Sequence, residues 1–190
     1  MLRAEVGPER MLRSVATVLA GSGDYCIADV IDALGHTRRA EIAHADPSRR
    51  EKLRLAAHDT VHAHDGRVAR LLHSGTSEIV PAVSRAVAAD RLADIVLLHG
   101  ERFRSYMAAA VLVSGAPMAV LTMVTTQVGR SFGADDLAFL GVVADWTGLG
   151  LENALHRELQ PRASVGPPPA LELSSLTELD SHRRSRARRS

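Results

Sequence analysis

Apolar residues recur along this chain with two different periods, and the switches between them mark the elements. Met11, Val15 and Val18 repeat at helical spacing after Pro8, whose fixed φ suits a first helical turn, while Glu9 sits close to the positive helix end. Gly21-Ser22-Gly23 stops that helix. Asp24 to Ile31 and Arg38 to Ala45 are short, β-rich runs connected through Leu34-Gly35-His36, which reads as a hairpin. A helical stretch from Pro47 through Leu53 and Leu55 follows, then a short helix from Gly66 to His73 stopped by Gly75, then a brief strand from Glu78 to Val80. Val87, Leu92, Ile95 and Leu98 predict a helix over 84–98, with Gly100 as its stop. Ser105 to Val113 and Pro117 to Thr126 form two long strands around Ser114-Gly115-Ala116, the composition of a tight hairpin loop. The closing helix starts near Ala134, with Asp135 and Asp136 complementing its dipole, and runs to Arg157 or Glu158. This order predicts an α+β domain built on one largely antiparallel sheet of about five to six strands.

Beyond Gln160 the pattern stops. Gly166-Pro167-Pro168-Pro169, a Ser/Leu/Glu stretch and the arginines from Arg183 to Arg189 predict a disordered tail over 161–190, behind a domain spanning 1–160. The tail carries six arginines against three acids, so the net charge of +1 conceals a body at 17 minus 19, or −2. That balance argues against a nucleic-acid-binding body, and an arginine cluster with no aromatic residue beside it reads as a solvated tail. No apolar run approaches the roughly 20 residues that cross a bilayer. Glu5, Pro8 and Glu9 interrupt the design of a signal peptide, so a cytoplasmic protein is expected. The lone Cys26 has no partner for an intramolecular disulfide and lies in an apolar stretch, where cysteine acts as a small hydrophobe.

Four strings carry a resemblance. Asp24-Tyr25-Cys26-Ile27-Ala28-Asp29-Val30-Ile31-Asp32 with His44-Ala45-Asp46-Pro47, then Gly66 to Gly75, Arg104-Ser105-Tyr106-Met107, and Gly129-Arg130-Ser131-Phe132 with Asp135-Asp136-Leu137 and Leu151-Glu152-Asn153-Ala154 occur in this order. Over residues 8–158 the chain resembles the GAF domains of bacterial sensor kinases and phosphatases. It departs from that subgroup at Ala110, where proline is usual, at Pro117 on an aliphatic position, and at Ala119 in place of glycine. The resemblance implies terminal helices on one sheet face and a pocket on the other, in a sensory module without catalytic machinery. No phosphoacceptor helix, nucleotide-binding glycine motif or paired phosphatase acids accompany it.

Each chemistry-bearing cluster also admits a plainer role. His58 and His62 stand at i and i+4 with Asp59 and His64 nearby, the spacing by which one helical face holds a metal. Aspartate is a methylene shorter than the glutamate of a metalloprotease helix and no third ligand is assigned, so a solvated helix end is preferred and no metal or cofactor is expected. Some small free-standing GAF proteins reduce free methionine sulfoxide through cysteine thiolates and a resolving partner, which one cysteine in the first strand does not supply. Bilin attachment, known elsewhere in the family, needs a cysteine near the pocket helix, where His99 to Phe103 contains none. Alternation along the central hairpin puts Tyr106, Ala108, Ala110, Thr122 and Val124 on one face, with Met107, Ala109, Val111, Leu121 and Met123 on the other. The first set is small with an occasional hydroxyl, a lining that leaves volume for a small molecule. The closing helix has two apolar stripes. Leu137, Leu140, Ala144, Gly148, Leu151 and Leu155 form one, and Phe139, Val142, Val143, Trp146 and Leu149 the other. One stripe packs on the sheet; the second is expected to form a homodimer. The reading is therefore a sensory or regulatory domain that binds a small molecule or a signalling partner and transmits through its terminal helices. A dimerisation scaffold with a collapsed pocket is the alternative, followed by a small metal-dependent or redox enzyme.

Overall fold

The computed structural model describes residues 7–32, 35–50, 53, 66–84 and 102–159. Within them the order is α1 (Gly7–Ala20), β1 (Tyr25–Ile31), β2 (Thr37–His44), α2 (Arg67–Ser74), β3 (Ser77–Val80), β4 (Ser105–Val113), β5 (Ala116–Thr125) and α3 (Ala134–Leu159). The strands pair antiparallel in the order β2-β1-β5-β4-β3, so the first and last long strands lie side by side at the centre. The architecture is α+β, as the periodicity predicts, with five strands among the described residues. The expected helix over 84–98, most of the stretch beyond Pro47, the histidine cluster and the tail fall largely outside the described residues.

Strand alternation sorts the sheet's side chains into two faces. Cys26, Ala28, Val30, Ala43, Met107, Ala109, Val111, Ala119, Leu121 and Met123 join Leu12, Ala16 and Leu19 of α1 and Leu140, Ala144 and Leu151 of α3 in one buried cluster. Both terminal helices therefore cover this face. The other face carries Tyr25, Ile27, Ile42, Tyr106 and Val124 in one cluster, and Ala108 and Val120 beneath Val68, Leu71 and Leu72 of α2 in another.

The central hairpin turns on two residues, one fewer than its composition suggests. Ser114 and Gly115 have φ of 50° and 79°, the left-handed pair of a type I′ turn, whose twist matches the strands it joins. Just beyond it the β4–β5 register shifts, Val111 opposing Ala119 and Leu112 opposing Pro117. Pro117 lies past the end of the β1–β5 ladder, so its missing N–H costs no bond to β1. At this bulge the Leu112 backbone meets α3 at Gly148, where a side chain would collide with the Leu112 carbonyl oxygen. A second shift lies in β1–β2: Ala28 opposes Glu41 and Asp29 opposes Arg39, leaving Ala40 as the extra residue. The bulge sends Arg38 and Glu41 to the α1 side, where they pair with Glu9 and Arg13, the second pair at 2.9 Å. Arg39 is turned to the opposite face, against Asp29.

Asp24 locks the sheet at the β1 start. Its carboxylate accepts from the Thr126 amide at 2.5 Å, Gln127 Nε2 at 2.6 Å, Thr126 Oγ1 at 2.8 Å and Thr125 Oγ1 at 3.2 Å, tying β1 to the end of β5. Burial favours the neutral acid, and these bonds together outweigh it, holding the carboxyl below its ordinary range.

Candidate functional site

The second face of the sheet, the one without terminal helices, is where polar groups gather under cover. Its rows follow from the register: Tyr25, Val124 and Tyr106; then Ile27, Thr122 and Ala108; then Asp29, Val120 and Ala110. All nine are buried. α2 begins at Arg67, and its apolar residues Val68, Leu71 and Leu72 recur with helical period, so docking them on Ala108 and Val120 brings Arg67 over the sheet. Arg67 is 1% exposed; its Nη1 donates to Thr122 Oγ1 at 3.0 Å and its guanidinium carbon lies 5.7 Å from the Tyr106 ring centroid. Tyr106 in turn donates its hydroxyl to Glu78 Oε1 at 3.0 Å, reaching across from β4 to β3. One row further along, Arg39 Nε donates to Asp29 Oδ1 at 3.0 Å, with both side chains at most 1% exposed. At the other end of the face His44 meets the Tyr25 ring edge-on at 4.5 Å and accepts the Asp46 amide on Nδ1 at 2.7 Å.

The hairpin residues expected to line a pocket thus lie on one face, in two environments. Tyr106 and Val124 pack with Tyr25, Ile27 and Ile42, while Ala108 lies beneath α2, which occupies the volume its small side chain leaves. Ala110 is buried beside it on the same strand, and Thr122 is the acceptor for Arg67. Small size at Ala108 therefore reflects close approach of a helix, a role that residue type alone does not distinguish from room for a ligand. Asp29, Arg39, Arg67 and Glu78 were not anticipated. For Asp29 a signal existed: a carboxylate in an apolar strand, two residues after Ile27 and in phase with Tyr25, has to face inward. Arg67 has no such mark in the sequence.

Cys26 belongs to the helix-covered face and is fully buried; burial, helped by the charge of Asp29, pushes its thiol well above the ordinary range. It neither reaches the second face nor carries thiolate at neutral pH. His58 and His62 lie outside the described residues, and among the described residues no group of three metal-ligating side chains gathers. No helix among them is long and apolar enough to cross a membrane.

On α3, Phe139, Val142, Trp146 and Leu149 are 54%, 53%, 75% and 60% exposed. Val143 corrects the expected stripe: it is half-buried and packs against the core under the helix. At 100° per residue it stands between the two apolar stripes, and docking of Leu140 and Ala144 draws it toward the sheet.

A search of functionally characterised proteins by sequence finds no match. Among solved structures, the second GAF domain of DevS from Mycobacterium smegmatis aligns with a TM-score of 0.58 at 15% identity, covering 80% of this chain and 97% of that one. The GAF domain of a phosphoenolpyruvate-protein phosphotransferase from Coxiella burnetii aligns at 0.57 and 12% identity, covering 82% and 88%. Free methionine-R-sulfoxide reductase from Neisseria meningitidis, solved with its substrate, aligns at 0.59 and 16% identity, covering 82% and 84%. At these identities the likeness is one of fold, and it takes in GAF domains of larger proteins and a reductase alike. The sequence itself matches the GAF domain model over residues 8–151, and with the sheet order and helix placement above, the chain belongs to the GAF domain family.

Proposed function

We propose that this chain is a non-catalytic sensory or regulatory GAF domain of a cytoplasmic signalling system, binding a small molecule on the second face of its sheet and passing the change to α1 and α3. The observation that carries the reading is the division of labour between the faces. Buried hydrogen-bonding groups concentrate on one side, at Arg67, Thr122, Tyr106 and the Asp29–Arg39 pair, where they fit orientation of a bound ligand. The terminal helices occupy the other side and are tied to the strands by polar contacts: Glu9–Arg38 and Arg13–Glu41 join α1 to β2, and Ser114 Oγ donates to Glu152 at 2.6 Å beside the Gly148–Leu112 contact of α3. A shift in β2 or β4 is thereby felt by a helix.

The family's reductase chemistry is a poor fit for this chain, because Cys26 is buried under the helices with its thiol protonated. A scaffold with a filled pocket is the second reading, and the packing of Val68, Leu71 and Leu72 on Ala108 and Val120 favours it. In either reading the homodimer is formed by a second copy seated on α3. Phe139, Val142, Trp146 and Leu149 follow spacings of three, four and three, the seam of a two-helix contact. Native mass spectrometry of purified full-length protein separates the readings. A retained metabolite supports the sensor; none, together with no ligand-induced rise in melting temperature across a metabolite library, supports the scaffold.

A further inference from the structure

We infer that Arg39 is the anion-holding end of the ligand site on the second face, and that the ligand is a small aliphatic monocarboxylate. The inference rests on the sensory reading above. Of the Arg39 guanidinium nitrogens, it is Nε that donates to Asp29, at 3.0 Å. The Nη1 and Nη2 nitrogens of the same guanidinium are buried and find no hydrogen-bond partner among the described residues. A pair serving stability alone is expected to close the fork, two parallel N–H groups on two oxygens, since buried donors without acceptors are costly. The Asp29–Arg39 pair instead holds the guanidinium by its side and leaves the Nη edge for a planar acceptor.

The surroundings select the rest of the molecule. Asp29 is flanked on its face of β1 by Ile27 and Ile31 and faces Val120 across β5, so the groups next to the anion are aliphatic. Its carboxylate also stands beside the site, repelling a dianion more than a monoanion, which disfavours phosphate. The bulge that turns Arg39 inward places its neighbours Arg38 and Glu41 on the α1 side, paired with Glu9 and Arg13. Occupation of the Nη edge pulls on a stretch of β2 that these pairs tie to the first helix.

The test uses the full chain with the straight and branched monocarboxylates from acetate to octanoate, the matching neutral alcohols, and inorganic phosphate. Saturation-transfer NMR and thermal shift are read for wild type and for Arg39→Lys, which keeps the charge and loses the fork. The expected result is a concentration-dependent rise in melting temperature with at least one carboxylate, none with its alcohol or with phosphate, and binding weakened about tenfold or more in Arg39→Lys. The inference is overturned if no carboxylate binds at about 10 mM, beyond the millimolar range of weak ligands, or if Arg39→Lys binds it as wild type does. If Arg39→Lys fails to fold, the wild-type series decides alone. Native mass spectra keep the two ideas apart: a metabolite retained equally by wild type and Arg39→Lys overturns the role of Arg39 and leaves the sensory reading standing, whereas no ligand by either method ends both.

Discussion

Replacing Gly148 by alanine tests whether α3 is seated on β4 as closely as the structure has it. Two opposing effects can be sized. Glycine within a helix costs about 0.8–1 kcal/mol relative to alanine, so propensity alone makes the substitution stabilising. Against it, the new Cβ would overlap the Leu112 carbonyl oxygen and stand 3.1 Å from its carbon and 3.6 Å from its nitrogen, and all three are backbone atoms that no rotamer change can move. Relief requires α3 to retreat, loosening Leu140, Ala144 and Leu151 from the sheet. Overpacking of this kind costs about 1–3 kcal/mol, from which the propensity gain of up to about 1 kcal/mol is subtracted. Gly141 supplies the control on the same helix, since a Cβ there meets nothing within 4 Å. Gly141→Ala should gain up to about 1 kcal/mol and Gly148→Ala lose up to about 2 kcal/mol, which at about 2–4 °C per kcal/mol separates their melting temperatures by several degrees. Urea and thermal unfolding at one fixed protein concentration measure both. If Gly148→Ala proves as stable as Gly141→Ala, the helix does not rest on the Leu112 backbone and the proposed path from β4 to α3 loses its contact.

Three further outcomes are expected. Wild type should be dimeric by light scattering at tens of micromolar while Trp146→Glu, altering a residue 75% exposed on the seam, is monomeric and equally folded; a monomeric wild type disposes of the interface. Asp24→Asn should cost about 1–3 kcal/mol at neutral pH, the range for hydrogen bonds to a buried charged group. Because the folded carboxyl titrates below its ordinary value of 3.8, the folded state binds fewer protons; the contribution is complete above that value and is lost as pH falls through the folded one. The variant should therefore show a shallower acid unfolding curve, and an unchanged curve would refute the assignment. Native Cys26 should resist alkylation at pH 8 and react stoichiometrically once urea unfolds the chain, since burial keeps its thiol protonated; rapid modification of the folded protein would return thiol chemistry to consideration.

Much of this architecture is written in local patterns. Alternation along 105–113 and 117–126 separates Met107, Ala109 and Leu121 from Tyr106, Ala108 and Thr122, and the structure places these sets on opposite faces, because a strand's period of two leaves no other arrangement. Likewise the stripe of Leu140, Ala144, Gly148 and Leu151 is the one α3 buries, since a helix docked on a sheet has to bury its continuous apolar side. Val143 marks the edge of that logic: two stripes flank it, and only the angle at which α3 lies on β4 decides which it joins. Which polar groups of the second face pair with one another lay beyond local pattern for a stronger reason. Arg67 finds Thr122 across 55 positions of sequence, and Arg39 faces Asp29 only because Ala40 is bulged out of the β1–β2 ladder. Shifting that register by one residue would turn Arg39 toward α1 and Arg38 toward Asp29 with no change in composition or hydrophobic pattern. Local periodicity determined the elements and the faces they present; long-range register, settled by how the whole sheet packs between its helices, decided which charges meet.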